Sequence, residues 1–204
     1  PNALGGTWSA DDTIAYQPAS GEPTLYRVPA AGGQAQPLPL ALPDAVSPTY
    51  PQFLPDGRRL LVSSATGTYL GSLEEPGARL VMPLRGRAEY AAGFLHYVDG
   101  NQLVARAFDT ATLTFSGEPR SLVSGVGTGQ TFTDSSYSVT ATGTALVWDG
   151  AAAPLSQPTW FNRSGRLVGT LGAPGEYLSI AASADLGLVA LERVDPASKS
   201  SWIS

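Results

Sequence analysis

Cysteine is absent from the chain, and with it disulfides, zinc–thiolate sites and thiol nucleophiles. A chain without cysteine is compatible with reducing and oxidising compartments alike. Histidine occurs once, so a metal site would have to be built from carboxylates. Basic residues are few: 12 Lys and Arg stand against 17 Asp and Glu, a net charge of −5, with no basic tract. Nucleic acid and anionic membrane surfaces are therefore poor partners, because neutralising phosphates needs clustered cations. Long apolar runs are missing too. Leu38–Leu42 and Leu186–Leu191 fall far short of the roughly 18 residues that cross a bilayer, and no charged-then-apolar leader opens the chain.

What the sequence does have is turn-formers and enough apolar residue for a core. Its 204 residues include 23 Gly and 17 Pro, which argues against an all-helical bundle. A hydrophobic share of 43% sets it apart from disordered chains, although only 14% of residues are charged. The chain opens on Pro1-Asn2 and closes on Trp202-Ile203-Ser204 within a strand-like run, and reads as a piece of a longer polypeptide.

A period runs along it. Phe53-Leu54-Pro55-Asp56-Gly57-Arg58-Arg59-Leu60-Leu61-Val62 has the apolar, acidic-turn, apolar pattern of a β-hairpin. Similar segments place a first turn residue at Asp11, Asp56, Asp99, Thr142 and Asp185, in steps of 45, 43, 43 and 43 residues. Asp bonds the backbone two residues on and Gly reaches positive φ without a Cβ clash. Asp12 and Leu186 stand where the other turns have Gly, so the first and last turns are expected to be built differently. Between the hairpins lie further strand-like runs such as Tyr26-Arg27-Val28, Tyr69-Leu70-Gly71 and Trp160-Phe161-Asn162. Four short strands repeating every 40 to 45 residues are the signature of a β-propeller blade. A β-helix would repeat at a much shorter period, and a sandwich has no reason to repeat.

The expected architecture is thus all-β: a β-propeller of four-stranded antiparallel blades, with about five blade units present in an incomplete ring. The approximate blade units are 1–46, 47–86, 87–130, 131–174 and 175–204, the last truncated. At roughly 44 residues per blade, a six-bladed ring needs about 260 residues. The segment alone is therefore expected to form an open arc that associates through uncovered blade faces.

The hairpin Pro51-Gln52-Phe53-Leu54-Pro55-Asp56-Gly57 resembles that of TolB-like, WD-repeat-like propellers, and Leu25-Tyr26-Arg27-Val28-Pro29 with Gly32-Gly33 resembles their next strand and turn. The order of Gly5-Gly6-Thr7-Trp8-Ser9-Ala10-Asp11, Tyr50-Pro51-Gln52-Phe53 and Thr159-Trp160-Phe161-Asn162-Arg163-Ser164-Gly165 is similar to the C-terminal propeller of bacterial transmembrane serine/threonine protein kinases. Similar blades occur in periplasmic TolB and in the propeller domains of serine peptidases. The kinase resemblance implies an extracytoplasmic segment linked through the membrane to a catalytic domain. This chain itself carries no Gly-rich phosphate loop with its Lys, no His-Arg-Asp and no Asp-Phe-Gly.

Catalysis by the segment is not expected. A Ser-His-Asp site needs a base, and His96 lies in the strand-like run Phe94-Leu95-His96-Tyr97-Val98, with no Gly-x-Ser-x-Gly turn anywhere. Asp11-Asp12 and Glu74-Glu75 lack calcium-loop spacing and read as turn and surface residues. Gly125-Val126-Gly127-Thr128-Gly129 lacks the helix and last Gly of a dinucleotide loop. Asn162-Arg163-Ser164 matches a glycosylation sequon inside a turn. No cofactor and no metal are expected.

Tyr50, Tyr90, Tyr137 and Tyr177 precede the hairpin in four units, where the innermost strand of each blade begins beside a central channel. They are the candidate ligand contacts, since amphipathic aromatics make good binding residues. The competing reading is packing between blades, because their offsets from the turn (6, 9, 5 and 8 residues) share no register. The expected function is a non-catalytic binding or sensing module for a protein, peptide or small molecule, with the rest of the propeller and the parent chain as partners. The alternatives are an accessory propeller of a serine peptidase and a TolB-like periplasmic scaffold.

Overall fold

The computed structural model describes residues 5–18, 23–43, 46–126, 137–147, 155–182, 188–194 and 201–203. Among these there is no α-helix. The contacts divide the chain into two compact units, Pro1–Ala88 and Glu89–Ser204.

The first unit holds two sheets. One runs through β1 (Gly6–Trp8), β2 (Thr13–Tyr16), β3 (Tyr26–Pro29) and β4 (Gln36–Pro37). The next runs through β5 (Thr49–Phe53), β6 (Arg59–Ser63), β7 (Thr68–Ser72) and β8 (Ala78–Met82). The second unit opens with β9 (Ala88–Ala91, entered from the last residue of the first unit), β10 (Phe94–Asp99), β11 (Gln102–Asp109) and β12 (Thr114–Ser124). β13 (Tyr137–Val139), β14 (Ala145–Val147), β15 (Thr159–Phe161) and β16 (Leu167–Thr170) follow, and then β17 (Tyr177–Ala182), β18 (Val189–Val194) and β19 (Ser201–Ile203). Each sheet is an antiparallel meander in which neighbours in sequence are neighbours in space.

The cores lie between sheets, not within them. Leu25, Leu38 and Leu40, which flank β3 and β4, meet Leu60, Val62 and Tyr69 of the second sheet. In the second unit, Ala91 and Leu103 meet Tyr137, Val139 and Val147, while Tyr177 and Ile180 are packed by Trp160 and Leu171. Where Leu40 approaches β7 its methyl occupies the space a Cβ on Gly71 would need, so that position accepts only glycine without repacking.

The first strands of successive sheets touch each other, β1 against β5 and β13 against β17. A first strand is a sheet edge, so alternate amides face away from its own ladder and need other acceptors. Side chains of the preceding sheet supply them. Phe53 N donates to Thr7 Oγ1 at 3.1 Å, Val139 N to Glu89 Oε2 at 2.6 Å, and Ala182 N to Ser138 Oγ at 3.2 Å. All three donors stand three residues before the repeating turn positions 56, 142 and 185. At these three turns the sequence period is thus the period of an inter-sheet hydrogen bond.

Two local expectations need correction. The Asp99-Gly100 turn is not the first hairpin of its sheet, because it joins β10 to β11. The first connection of that sheet is Ala92-Gly93, with φ of 52° and 86°, both positive as a type I′ turn requires. Ala gives no turn signal at that position, whereas Asp-Gly suits any hairpin, so the period fell one strand out of step there. The first turn of the chain is also built like its counterparts: Asp12 adopts φ 57°, as Gly57 does at 67° and Gly143 at 81°. Each amide closes on a carbonyl three residues back, Ser9, Leu54 and Thr140 respectively. Asp tolerates the left-handed region through its short polar side chain, and Asp12 Oδ1 accepts the Trp8 indole N–H at 3.2 Å. Leu186 lies outside the described residues.

Candidate functional site

Tyr50, Tyr90, Tyr137 and Tyr177 all fall on the first strand of their sheets, β5, β9, β13 and β17. Their environments differ. Tyr137 is fully buried, and its hydroxyl donates to the His96 carbonyl at 3.0 Å. Tyr177 is buried in the next core, with its hydroxyl donating to the Ala173 carbonyl at 2.6 Å. Tyr90 is half-buried, edge-on to Phe108 at 6.4 Å between ring centres. Tyr50 is half-buried at a β-bulge with φ 46°, and the Arg87 guanidinium lies over its ring at 5.4 Å. Two of the four rings are thus packing elements between sheets, and the other two make aromatic and cation–π contacts.

A different set of residues frames a recess within the second unit, of about 230 Å³. Phe94 and His96 come from β10, Ala105 from β11, Arg120 and Leu122 from β12, and Gly143 and Arg163 from turns of the following sheet. The Asn162–Gly165 turn fixes Arg163. Asn162 Oδ1 accepts the amides of Ser164 and Arg166, both at 3.0 Å, and Gly165 N closes on the Asn162 carbonyl at 2.9 Å. Gly165 has φ 76° and backs onto the Leu122 carbonyl, where a Cβ has no room. The sequon asparagine therefore builds its own turn. Arg163 Nε donates to the Thr142 carbonyl, which aims the guanidinium at the recess.

His96 is 3% exposed, its Nδ1 lying 3.3 Å from the Glu89 carbonyl. Burial lowers its pKa to about 4, and the nearby Arg163 charge works in the same direction, against the backbone carbonyls of Glu89 and Phe94. The imidazole is neutral at pH 7 and held by main chain.

The remaining sequence features are turns and surface. Glu74 and Glu75 donate their amides to Ser72 Oγ. Among the described residues no three His, Asp or Glu side chains could share a metal ion. Val126 is buried, its amide bonded to the Asn101 carbonyl, and Gly127, Thr128 and Gly129 lie outside the described residues. No helix among the described residues is long and apolar enough to cross a membrane.

No family model matches the chain, and no curated protein does. Solved structures do. A chain of a nidogen/laminin complex superposes with a TM-score of 0.67 at 15% identity, covering 98% of this chain and 74% of that one. A TolB from Agrobacterium tumefaciens gives 0.62 at 12% identity, covering 99% and 80%. The fold is a β-propeller. A prolyl endopeptidase gives 0.52 at 13% identity, covering 99% of this chain and 34% of that one. The five sheets are its blades, and the recess lies between the third and fourth of them.

Sequence reasoning missed this recess. Arg120 and Arg163 lie 43 residues apart on unlike parts of their blades, and only the pairing of β12 with β11 and the Asn162 turn bring them to one place.

Proposed function

We propose that the chain is a non-catalytic binding propeller, the extracytoplasmic sensor part of a bacterial serine/threonine protein kinase. The observation that carries the binding role is a recess lined by two arginines between two blades joined by the Val139 N to Glu89 Oε2 hydrogen bond. Rigid blades set the frame while turns such as Asn162–Gly165 present the contact residues. The nidogen/laminin structure is a complex of two proteins, which supports an interaction role for a propeller of this shape. The kinase context and the extracytoplasmic location rest on the segment order Gly5–Asp11, Tyr50–Phe53 and Thr159–Gly165.

The lack of catalysis is supported by His96, the sole histidine, whose Nδ1 faces a backbone carbonyl instead of a side-chain hydroxyl. A base of pKa about 4 is also a poor acceptor of a serine proton at neutral pH. Purified protein is expected to turn over neither a p-nitrophenyl ester nor a generic peptide above background. Robust hydrolysis that disappears in His96→Ala would overturn the proposal.

A second reading, the accessory propeller of a serine peptidase, is favoured by one observation. The match to the prolyl endopeptidase spans all but a few residues here and only a third of that chain, as a propeller within a larger enzyme would.

A further inference from the structure

We infer that the recess between the third and fourth blades binds a carboxylate carried on a short apolar body, held by Arg120 and Arg163. This deepens the binding-module reading and rests on it.

The chain is acidic overall, yet among the described residues the charged side chains lining this recess are two arginines. Neither forms an ion pair with a described residue. Glu118, which lines a neighbouring groove with Arg120, makes none with it. Arg163 uses Nε on the Thr142 carbonyl, which positions the group and leaves its two terminal nitrogens for a ligand. The planar fork of guanidinium donors matches a carboxylate bidentately. Around this cationic rim the walls are apolar or small: Phe94, Leu122, Ala91 and Ala105. The neutral imidazole of His96 closes one side without adding charge.

Charge at the rim with apolar walls behind it selects an anion that has a hydrophobic part, in preference to a bare inorganic one. At about 230 Å³ the volume is below the roughly 300–1,000 Å³ of drug-sized sites. The ligand is therefore compact. Either a free short-chain carboxylic acid or the C-terminal residue of a peptide presents this chemistry.

The test is a titration of the full chain followed by NMR of the arginine Nε–H groups, using hexanoate, N-acetyl-leucine, their neutral amides and inorganic phosphate. Both carboxylates are expected to saturate with dissociation constants at or below about 1 mM, and each amide to bind at least about tenfold more weakly. Arg120→Gln and Arg163→Gln should each weaken hexanoate about tenfold or more, while Arg79→Gln, on β8 of the first unit, should not. Arg120 is exposed on β12, so its variant keeps the fold and carries the test where Arg163→Gln fails to fold. Tighter binding of N-acetyl-leucine identifies a peptide terminus as the source, and tighter binding of hexanoate a free acid. No saturation up to about 20 mM, equal binding of the amides, tighter binding of phosphate, or unchanged affinity in the folded arginine variants would each overturn the inference. Such a result in a protein without esterase activity removes this ligand class alone. Esterase activity would instead remove the binding-module reading.

Discussion

Tyr137→Ala is expected to lower the stability of the protein by about 3–5 kcal/mol, the range found for removing a buried aromatic ring, and Tyr137→Phe by about 1 kcal/mol. The ring is fully enclosed between the third and fourth blades, against Leu103, Val139 and Ala145. Its hydroxyl satisfies the His96 carbonyl on the neighbouring blade. The alanine change leaves a cavity that β-strands on two blades cannot both relax into. The phenylalanine change removes only the donor. Urea denaturation of the three proteins measures both effects. If Tyr137 is instead a ligand contact in an open channel, both variants will unfold at nearly the wild-type midpoint.

Stability is expected to fall by about 3 kcal/mol as pH drops from about 6.5 to 4, because of His96 alone. Burial makes the fold refuse a proton down to a pKa of about 4, whereas the unfolded chain accepts one near 6.5. Above 6.5 the imidazole is neutral in both states and contributes no slope. Between the two values the unfolded state binds more protons, so stability declines with falling pH, and below about 4 this contribution is fully lost. No other histidine exists to blur the window.

Two carboxylates add their own losses lower down. Asp56 is slightly desolvated, which works upward, but the amides of Arg58 and Arg59 and the Arg59 guanidinium hold it below the usual range. The Thr112 and Ala111 amides do the same for Asp109. Both lose their contribution only as pH falls below the ordinary carboxylate value. His96→Gln should therefore flatten the slope between pH 6.5 and 4.5 and leave the acid limb below it. An unchanged slope in that variant contradicts the buried, neutral assignment.

The fold was legible because the turn residues repeat. Asp56-Gly57 and Thr142-Gly143 stand at equivalent hairpins, and the same register marks the amides of Phe53, Val139 and Ala182 that bond to the preceding blade. Legibility failed where turn chemistry is degenerate. Asp99-Gly100 fits a second hairpin as well as a first, and Ala92 in a positive-φ position carries no compositional mark.

Tyr137 and Tyr177 illustrate a second limit. An aromatic at the start of an inner strand faces either a channel or the next blade, and only the packing of the facing sheet decides which. The recess was the least visible feature. Its two arginines are single cations in an acidic chain, and Arg163 stood inside a tripeptide that reads as a glycosylation signal before it reads as a turn. What assembles them is the register of β12 and the capping by Asn162, both consequences of tertiary structure.

The kinase context proposed for this binding propeller is tested most directly by the coding sequence upstream of Pro1. Sequencing the coding region upstream is predicted to reveal, within about 400 residues, a protein kinase domain with its phosphate loop and His-Arg-Asp motif, followed by one apolar segment of about 20 residues. A hydrolase domain with a Gly-x-Ser-x-Gly turn on either side of the propeller, or a secretion leader with neither enzyme, would contradict it.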